Sequence, residues 1–470
     1  MADIENKNLH VVFLPYFICS HMLPLLDVAI LFATLGGLKV SVITTPHNAA
    51  IFQFTINERL KSGVQIAIHS LKFPSEQVDL PEGIENFSTV TSSEQYPKLK
   101  RAIGLLQKPM ENLTRSLSPH CIFSDYFFPW SVDLALELKI PRLLFFPYNF
   151  FYHFTNKPYK KVVEPATESS SVCQLPRKLK LKRSRQPNQD ITEASFEASF
   201  REQFKWSYGT VHNTFLEIEP TYANMYKKSI CKRSWHIGPL FHLCGRKEVR
   251  ISGDCNTSSV MNCLNWLDTQ KAKSVVYVCF GSMVLLNDMQ LTEIVLALKA
   301  SSQPFVLVTK KSMPIPGVGD FEENNGIIIT GWAPQIKILN HPAVGAFMTH
   351  CGWDSVLEAM VAGVPLITCP LFAEQFHNEK LIIQILGNGV EVGSEVCNFS
   401  PEIKSPVIGN DKIKKAVMRL MRGSFESEMI RRRAEEISVM AKRATEEGGS
   451  SYNDLMALIQ EIKDCVVGKE

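Results

Sequence analysis

Short apolar runs rich in β-branched residues alternate with stretches of helical spacing along most of the chain. Residues 9–14, 39–44, 64–69, 121–124 and 142–146 read as strands. Between them, Met22, Leu25, Leu26, Ala29, Leu31 and Phe32 fall at helical spacing within 21–35, and 47–60, 97–117 and 130–138 read as further helices. The second half repeats the scheme. Strands are predicted at 274–280, 304–309, 327–330, 344–348 and 365–368, and helices at 288–300, 355–362 and 374–386. Residues 410–442 and 451–462 read as helical. Such alternation predicts the α/β class: two doubly wound units, each a parallel sheet with helices on both faces.

The stretch 11–37 is apolar enough to raise the question of a membrane or signal helix. Pro15, His21, Pro24 and Asp27 interrupt it, so it reads as a buried strand, a turn and a helix, and no transmembrane segment is expected. The start carries Asp3 and Glu5 against Lys7, the reverse of a secretory leader. Twelve cysteines in 470 residues, none spaced as C-x-x-C, argue against a zinc or redox motif and for free thiols in a reducing compartment. A cytoplasmic location is therefore expected. Fifty basic against 47 acidic side chains leave a net charge of +3, which gives no footprint for nucleic acid. An apolar fraction of 45% with 21% charged residues excludes a disordered or fibrous chain. A large enzyme or binding protein remains.

The length suggests two domains, with a boundary in the Gly-, Ser-, Asn- and charge-rich stretch 238–258. One insert, 157–189, is polar and holds a basic run at 176–185. That run reads either as a solvated surface segment or as a phosphate-binding or nuclear-import patch.

Doubly wound sheets bind ligands outside the carboxyl ends of their strands, so the residues following each strand are the candidates. His21 follows the first strand near a helix start, a setting that favours the neutral imidazole a general base requires. Asp125 follows the strand 121–124 and is suited to fix the tautomer of that ring and stabilise its protonated form. By spacing alone, packing or capping accounts for each of the two equally well. In the second half, Phe280-Gly281-Ser282-Met283 closes a strand with groups that suit a diphosphate. Thr349-His350-Cys351-Gly352-Trp353-Asp354-Ser355 opens a helix, where Gly352 permits close approach and the helix end favours an anion. Gly331-Trp332-Ala333-Pro334-Gln335 offers an indole face for a base, and Glu374 and Gln375 offer hydrogen bonds to sugar hydroxyls. Together these form the outline of a nucleotide-sugar pocket. The run Gly387-Asn388-Gly389-Val390-Glu391-Val392-Gly393 lacks the spacing of a dinucleotide fingerprint and is expected to precede a strand.

Residues 332–375 resemble the 44-residue signature of plant UDP-dependent glycosyltransferases, from Trp-Ala-Pro-Gln through His-Cys-Gly-Trp to Phe-Ala-Glu-Gln. The resemblance extends over nearly the whole chain. It is strongest to the nightshade steroidal-alkaloid and triterpenoid-saponin glycosyltransferases, through Thr45-Pro46-His47-Asn48-Ala49, Leu80-Pro81-Glu82-Gly83-Ile84-Glu85 and Leu106-Gln107-Lys108-Pro109-Met110-Glu111. It implies a GT-B fold: an acceptor domain at 1–240, a linker at 241–258, a donor domain at 259–450 facing the first across a crevice, and a helix at 451–470 crossing back. It implies an inverting, metal-independent transfer of a hexose, glucose before galactose, from a UDP-sugar co-substrate to a hydroxyl of a bulky apolar metabolite. It also leaves room for loose association with other biosynthetic enzymes. By the same resemblance His21 would take the acceptor proton and Asp125 would orient it. Trp332 and Ala333 would hold uracil, and Gln335 and Glu358 the ribose. Ser282, His350, Trp353 and Ser355 would surround the diphosphate, and Glu374 and Gln375 would hold the sugar.

Three departures stand against that pattern. Asp354 replaces the family's usual Asn, and an ionised carboxylate repels a diphosphate to which an amide would donate, unless Asp354 turns away to cap the helix. Ser20 replaces the usual Gly before the histidine, and Gln174-Leu175-Pro176-Arg177 replaces a Gly-Leu-Pro-acid sequence. Asp354 supports an alternative, a catalytically weakened relative that binds a metabolite or partner enzyme. Tyr126, Phe127, Phe128, Phe146, Tyr148, Phe150 and Phe151 cluster after two strands, where some are expected in the core and others along an apolar acceptor cleft.

Overall fold

The computed structural model describes residues 9–60, 64–155, 193–246, 257–284, 286–310, 326–395 and 406–467. The insert 157–189, with its basic run, lies outside the described residues, as does 247–256 of the boundary stretch. The described residues form two compact units. The first holds those up to 246 and those from 443 onward, and the second those from 257 to 442.

In the first unit, β1 (His10–Leu14), β2 (Lys39–Thr44), β3 (Ile66–Ser70), β4 (Cys121–Asp125), β5 (Arg142–Phe146), β6 (Gly209–His212) and β7 (Ser234–His236) pair in the order β3-β2-β1-β4-β5-β6-β7. Every pairing is parallel. Helices cover both faces, which is why β1 is buried at every position instead of alternating. The helix Cys19–Thr34 follows β1 and is almost wholly buried. Pro24 lies in its second turn, where the missing N–H would have bonded the exposed Ser20 carbonyl. The helix Ser450–Val467 belongs to this unit and packs on β7. Asp454 Oδ2 accepts from the His236 amide at 3.0 Å, and Glu461 accepts from the Tyr208 hydroxyl at 2.8 Å.

The second unit repeats the plan. Its sheet contains β8 (Val275–Cys279), β9 (Phe305–Thr309), β10 (Gly326–Thr330), β11 (Val344–Thr349), β12 (Leu366–Thr368) and β13 (Gly389–Glu391) in the order β10-β9-β8-β11-β12-β13, again all parallel. Strand order reverses at β1/β4 in one unit and at β8/β11 in the other. These are the points where a doubly wound sheet opens a ligand crevice.

The structure departs from the expected elements in three places. The predicted helix 97–117 is two helices, Gln95–Leu105 and Gln107–Leu117. Pro109 has no N–H for the Leu105 carbonyl and its ring crowds that oxygen, so the chain turns at Leu106, whose N–H bonds Ile103 instead. The span 410–442 divides at Gly423 (φ +68°) into Asn410–Met421 and Phe425–Thr445. β13 lies inside the glycine-containing run 387–393 and not after it. Strands as short as β7 and β13 hold too few residues to show a period, and β6 and β7 are rich in polar residues besides. No helix among the described residues is long and apolar enough to cross a membrane.

Candidate active site

β1 and β4 pair with Leu14 opposite Ser124, so the loop after one and the last residue of the other are neighbours. His21 and Asp125 meet there. His21 Nδ1 lies 2.7 Å from Asp125 Oδ2, with side-chain exposures of 4% and 0%. A carboxylate only accepts, so Nδ1 carries the proton and Nε2 keeps a lone pair. Asp125 Oδ1 accepts from the Phe127 amide at 2.9 Å, so the backbone sets the tilt of the carboxylate. Four aromatic rings enclose His21: Tyr16, Tyr126, Phe127 and Tyr148, at centroid distances of 5.4–6.3 Å. The Tyr148 hydroxyl is 3.3 Å from Nε2 and in turn bonds the Tyr126 hydroxyl. Burial, with the Asp125 charge added, pushes the Tyr16 phenol upward, so it stays protonated.

The aromatic cluster after β4 and β5 divides. Phe128, Phe146, Phe150 and Phe151 are core, while Phe127 is exposed and Tyr126 and Tyr148 face the histidine. Nothing in the sequence singled out Arg142, yet it braces this site from behind. Its fully buried guanidinium donates to Ser131 Oγ at 2.8 Å, Ser207 Oγ at 2.7 Å and Gln203 Oε1 at 2.9 Å. Gln203 passes the hold on to the Tyr126 carbonyl at 3.1 Å. Burial lowers Arg142 to about 9, and attraction to the Asp125 charge opposes that fall.

In the second unit, Cys279 at the end of β8 lies beside Thr349 at the end of β11. The loops that follow converge on His350. A Cβ on Gly281 would stand 2.7 Å from His350 Cε1, and one on Gly352 2.5 Å from Nε2, so both loops pack on one ring edge only because neither has a side chain. Gly281 also has φ +75°. Burial lowers His350 to about 4, which keeps it neutral. The helix Trp353–Ala362 starts at Gly352, which is its N-cap. Asp354 is therefore not the cap. It lies in the first turn with Ser355, in the positive field that an anion would also use.

Three more predicted residues meet through hydrogen bonds. Gln335 Nε2 donates to Glu358 Oε2 at 2.7 Å and to Ser355 Oγ at 3.0 Å, while Gln335 Oε1 accepts from Tyr277 at 3.2 Å. Trp332, partly buried, and Ala333, buried, precede them on the loop after β10. Ser282 follows Gly281, and Trp353 is buried at the helix start. Gln375 Oε1 accepts from the Leu371 and Phe372 amides, both at 3.0 Å, which leaves the NH2 end of that amide to donate. Glu374 precedes it as the helix N-cap. Sequence reasoning missed Asn378, whose Nδ2 holds the Cys351 carbonyl at 2.9 Å across a residue at φ +67°. Its spacing of three from Gln375, on the same helix face, was the available signal. Among the described residues, no three His, Cys, Asp or Glu side chains are placed to hold a metal ion.

Burial also sets a pH dependence. His153 is lowered to about 3, and His350 and His377 to about 4, by loss of hydration. Unfolded histidine binds a proton below about 6.5 and these three do not until far lower, so the unfolded state holds more protons in that window. Stability therefore falls on acidification, by about 1.4 kcal/mol per histidine at pH 5.5. Glu219 works the other way in the first unit, since burial raises it to about 7 and its folded form keeps a proton longer. His10, lowered to about 4, and His212, lowered well below the free value, carry the same sign in the first unit, so both units lose stability on acidification. The melting temperature is expected to be lower by roughly 5 °C or more at pH 5.5 than at pH 7.5. Calorimetry showing an unchanged or higher melting temperature at pH 5.5 would contradict this.

The sequence model of the family described as UDP-glucoronosyl and UDP-glucosyl transferase matches residues 90–425. The chain belongs to this family. Nuatigenin 3-beta-glucosyltransferase of Solanum aculeatissimum is 48% identical to this glycosyltransferase over 98% of each chain. Solanidine UDP-glucose glucosyltransferase 1 of Solanum tuberosum is 43% identical, also over 98% of each. Among solved structures, Glycyrrhiza uralensis UGT73P12, complexed with glycyrrhetinic acid 3-O-monoglucuronide, has a TM-score of 0.87 at 35% identity, covering 98% of this chain and 97% of that one. Medicago truncatula UGT71G1, complexed with UDP-glucose, has a TM-score of 0.76 at 25% identity, with 98% and 100% covered. The protein is thus an enzyme, a UDP-glycosyltransferase with the GT-B fold, and a UDP-sugar is its co-substrate.

Proposed function

We propose that this glycosyltransferase moves glucose from UDP-glucose, with inversion, onto a hydroxyl of a bulky apolar steroidal or triterpenoid acceptor. The observation that carries the chemistry is the Asp125–His21 pair, which leaves Nε2 as a proton acceptor in an aromatic enclosure. The acceptor oxygen attacks the anomeric carbon, the bond from that carbon to UDP breaks on the opposite face, and the acceptor proton passes to Nε2. Asp125 stabilises the imidazolium formed. In the second unit, Trp332 and Ala333 hold uracil, and Gln335 and Glu358 hold the ribose. Ser282, His350, Trp353 and Ser355, at the amide-rich start of their helix, receive the diphosphate without a metal ion. Glu374 and the donating end of Gln375 hold the sugar. The steroidal acceptor class is supported by the two Solanum relatives, whose names specify nuatigenin and solanidine. We place the enzyme in the cytoplasm, where loose association with neighbouring enzymes of one route is open to it.

The test is UDP release over steroidal, triterpenoid and flavonoid aglycones with UDP-glucose and UDP-galactose. Turnover of flavonoids alone would overturn the acceptor class, and preference for UDP-galactose would overturn the sugar. Asp354 competes with the diphosphate for the same helix end. Asp354→Asn removes that charge and restores a donor, so UDP should bind about tenfold tighter, equivalent to roughly 1.4 kcal/mol. Calorimetric titration with UDP reads this directly. Equal affinity in the two proteins would mean that the carboxylate does not face the phosphates.

A further inference from the structure

The nitrogen that must take the acceptor's proton already has a protein hydroxyl on it. Tyr148 Oη lies 3.3 Å from His21 Nε2. Because the Nδ1–H donates to Asp125, Nε2 can only accept, and Tyr148 must donate. Tyr148 has one proton, so the contact between the two tyrosine hydroxyls runs from Tyr126 to Tyr148. The chain is directional: Tyr126 to Tyr148, Tyr148 to Nε2, Nδ1 to Asp125. It is also anchored. Tyr126 follows β4 and Tyr148 follows the adjacent β5, and both rings are buried against Leu144 and Phe146. At 3.3 Å the bond to Nε2 is long for a hydroxyl donor, so it is weak enough to be replaced.

We propose that Tyr148 is a positioning residue that holds the acceptor hydroxyl's place on His21 Nε2, with Tyr126 steadying it, so that an acceptor binds by exchanging one hydroxyl for another. This rests on His21 being the base. Before acceptor binds, Tyr148 fixes the Nε2 lone pair and occupies the site a water would take. The bond that Tyr148 must give up costs the same for phenolic and aliphatic acceptors.

Tyr148→Phe keeps the ring and removes the competitor. With a 3β-hydroxysteroid acceptor, KM should fall by roughly two- to twelve-fold, the range of one net hydrogen bond, while kcat stays within about twofold. With a phenolic coumarin acceptor KM should fall by the same factor, because the competitor removed is the same. A kcat lowered a hundredfold at constant KM would mean that Tyr148 relays the proton, and the placeholder role would be wrong. Unchanged kinetics would also overturn it. If Tyr148→Phe does not fold, Tyr126→Phe carries the test, since it loosens Tyr148 and should lower the steroid KM by about twofold; an unchanged or higher KM counts against the proposal. His21→Ala measured alongside separates the two claims. Full turnover in that variant removes the base assignment itself, whatever Tyr148→Phe shows.

Discussion

His21→Ala is expected to lower kcat by about two to four orders of magnitude while leaving UDP affinity within twofold. The loss follows from the proposed role of His21 as the group that takes the acceptor's proton. The retained UDP affinity follows from the placement of the proposed donor groups in the other unit, on loops that His21 does not support. Asp125→Asn should cost a similar factor for a different reason. An amide that keeps accepting from the Phe127 amide through its oxygen turns its NH2 toward His21. Nδ1 would then have to accept, Nε2 would carry the proton, and the ring would present the wrong tautomer to the acceptor. Single-turnover rates with saturating UDP-glucose, beside UDP titrations, measure both halves. A His21→Ala enzyme with near-normal turnover, or one that has lost UDP binding, would be inconsistent with this account.

Gly281→Ala should damage the second unit more than any other single methyl group considered. Its Cβ would meet His350 at 2.7 Å, and its φ of +75° disfavours any side chain. The left-handed backbone costs about 1–2 kcal/mol and the overpacking about 1–3 kcal/mol more. Together they should lower the melting temperature of this unit by roughly 5–15 °C. Gly352→Ala is the internal comparison. At φ −59° its backbone tolerates alanine, so only the 2.5 Å approach to His350 remains. It should destabilise less than Gly281→Ala, yet weaken UDP binding about as much, because both push the same ring edge out of place. Thermal melts and UDP titrations on the two variants decide the matter. Wild-type behaviour in both would show that His350 moves aside freely and does not define the donor site.

The two parallel sheets and the places of most candidate site residues were legible in the sequence because they depend on local pattern. β1, β5, β8 and β11 are short apolar runs, Asp125 closes β4, and His21, Trp332, His350 and Glu374 lie in the segments that follow strands. What escaped depends on distant packing. Arg142 reads as the first residue of a strand, and only the fold brings Ser131, Gln203 and Ser207 around it. The donation from Tyr148 to Nε2 joins residues 127 positions apart, and Tyr277 reaches Gln335 over 58. The break at Leu106 was legible in principle, since Pro109 removes the bond a continuous helix would make to Leu105; the amphipathic spacing on either side hid it. The sequence left Asp354 either facing a diphosphate or capping the helix; the cap is Gly352, which has no side chain to announce it.

The helix Ser450–Val467 lends the first unit side chains that β7 and its neighbours need: Asp454 for His236, Ser451 for Gly238, and Glu461 for Tyr208 and Arg233. The first unit is thus built from two separate segments of the chain, with the second unit between them. A chimera that joins the front half of this enzyme to the back half of a relative inherits the last helix from the wrong parent. Specificity swaps within the family should therefore carry the first segment and the last 28 residues together, from Arg443 onward, or leave both alone.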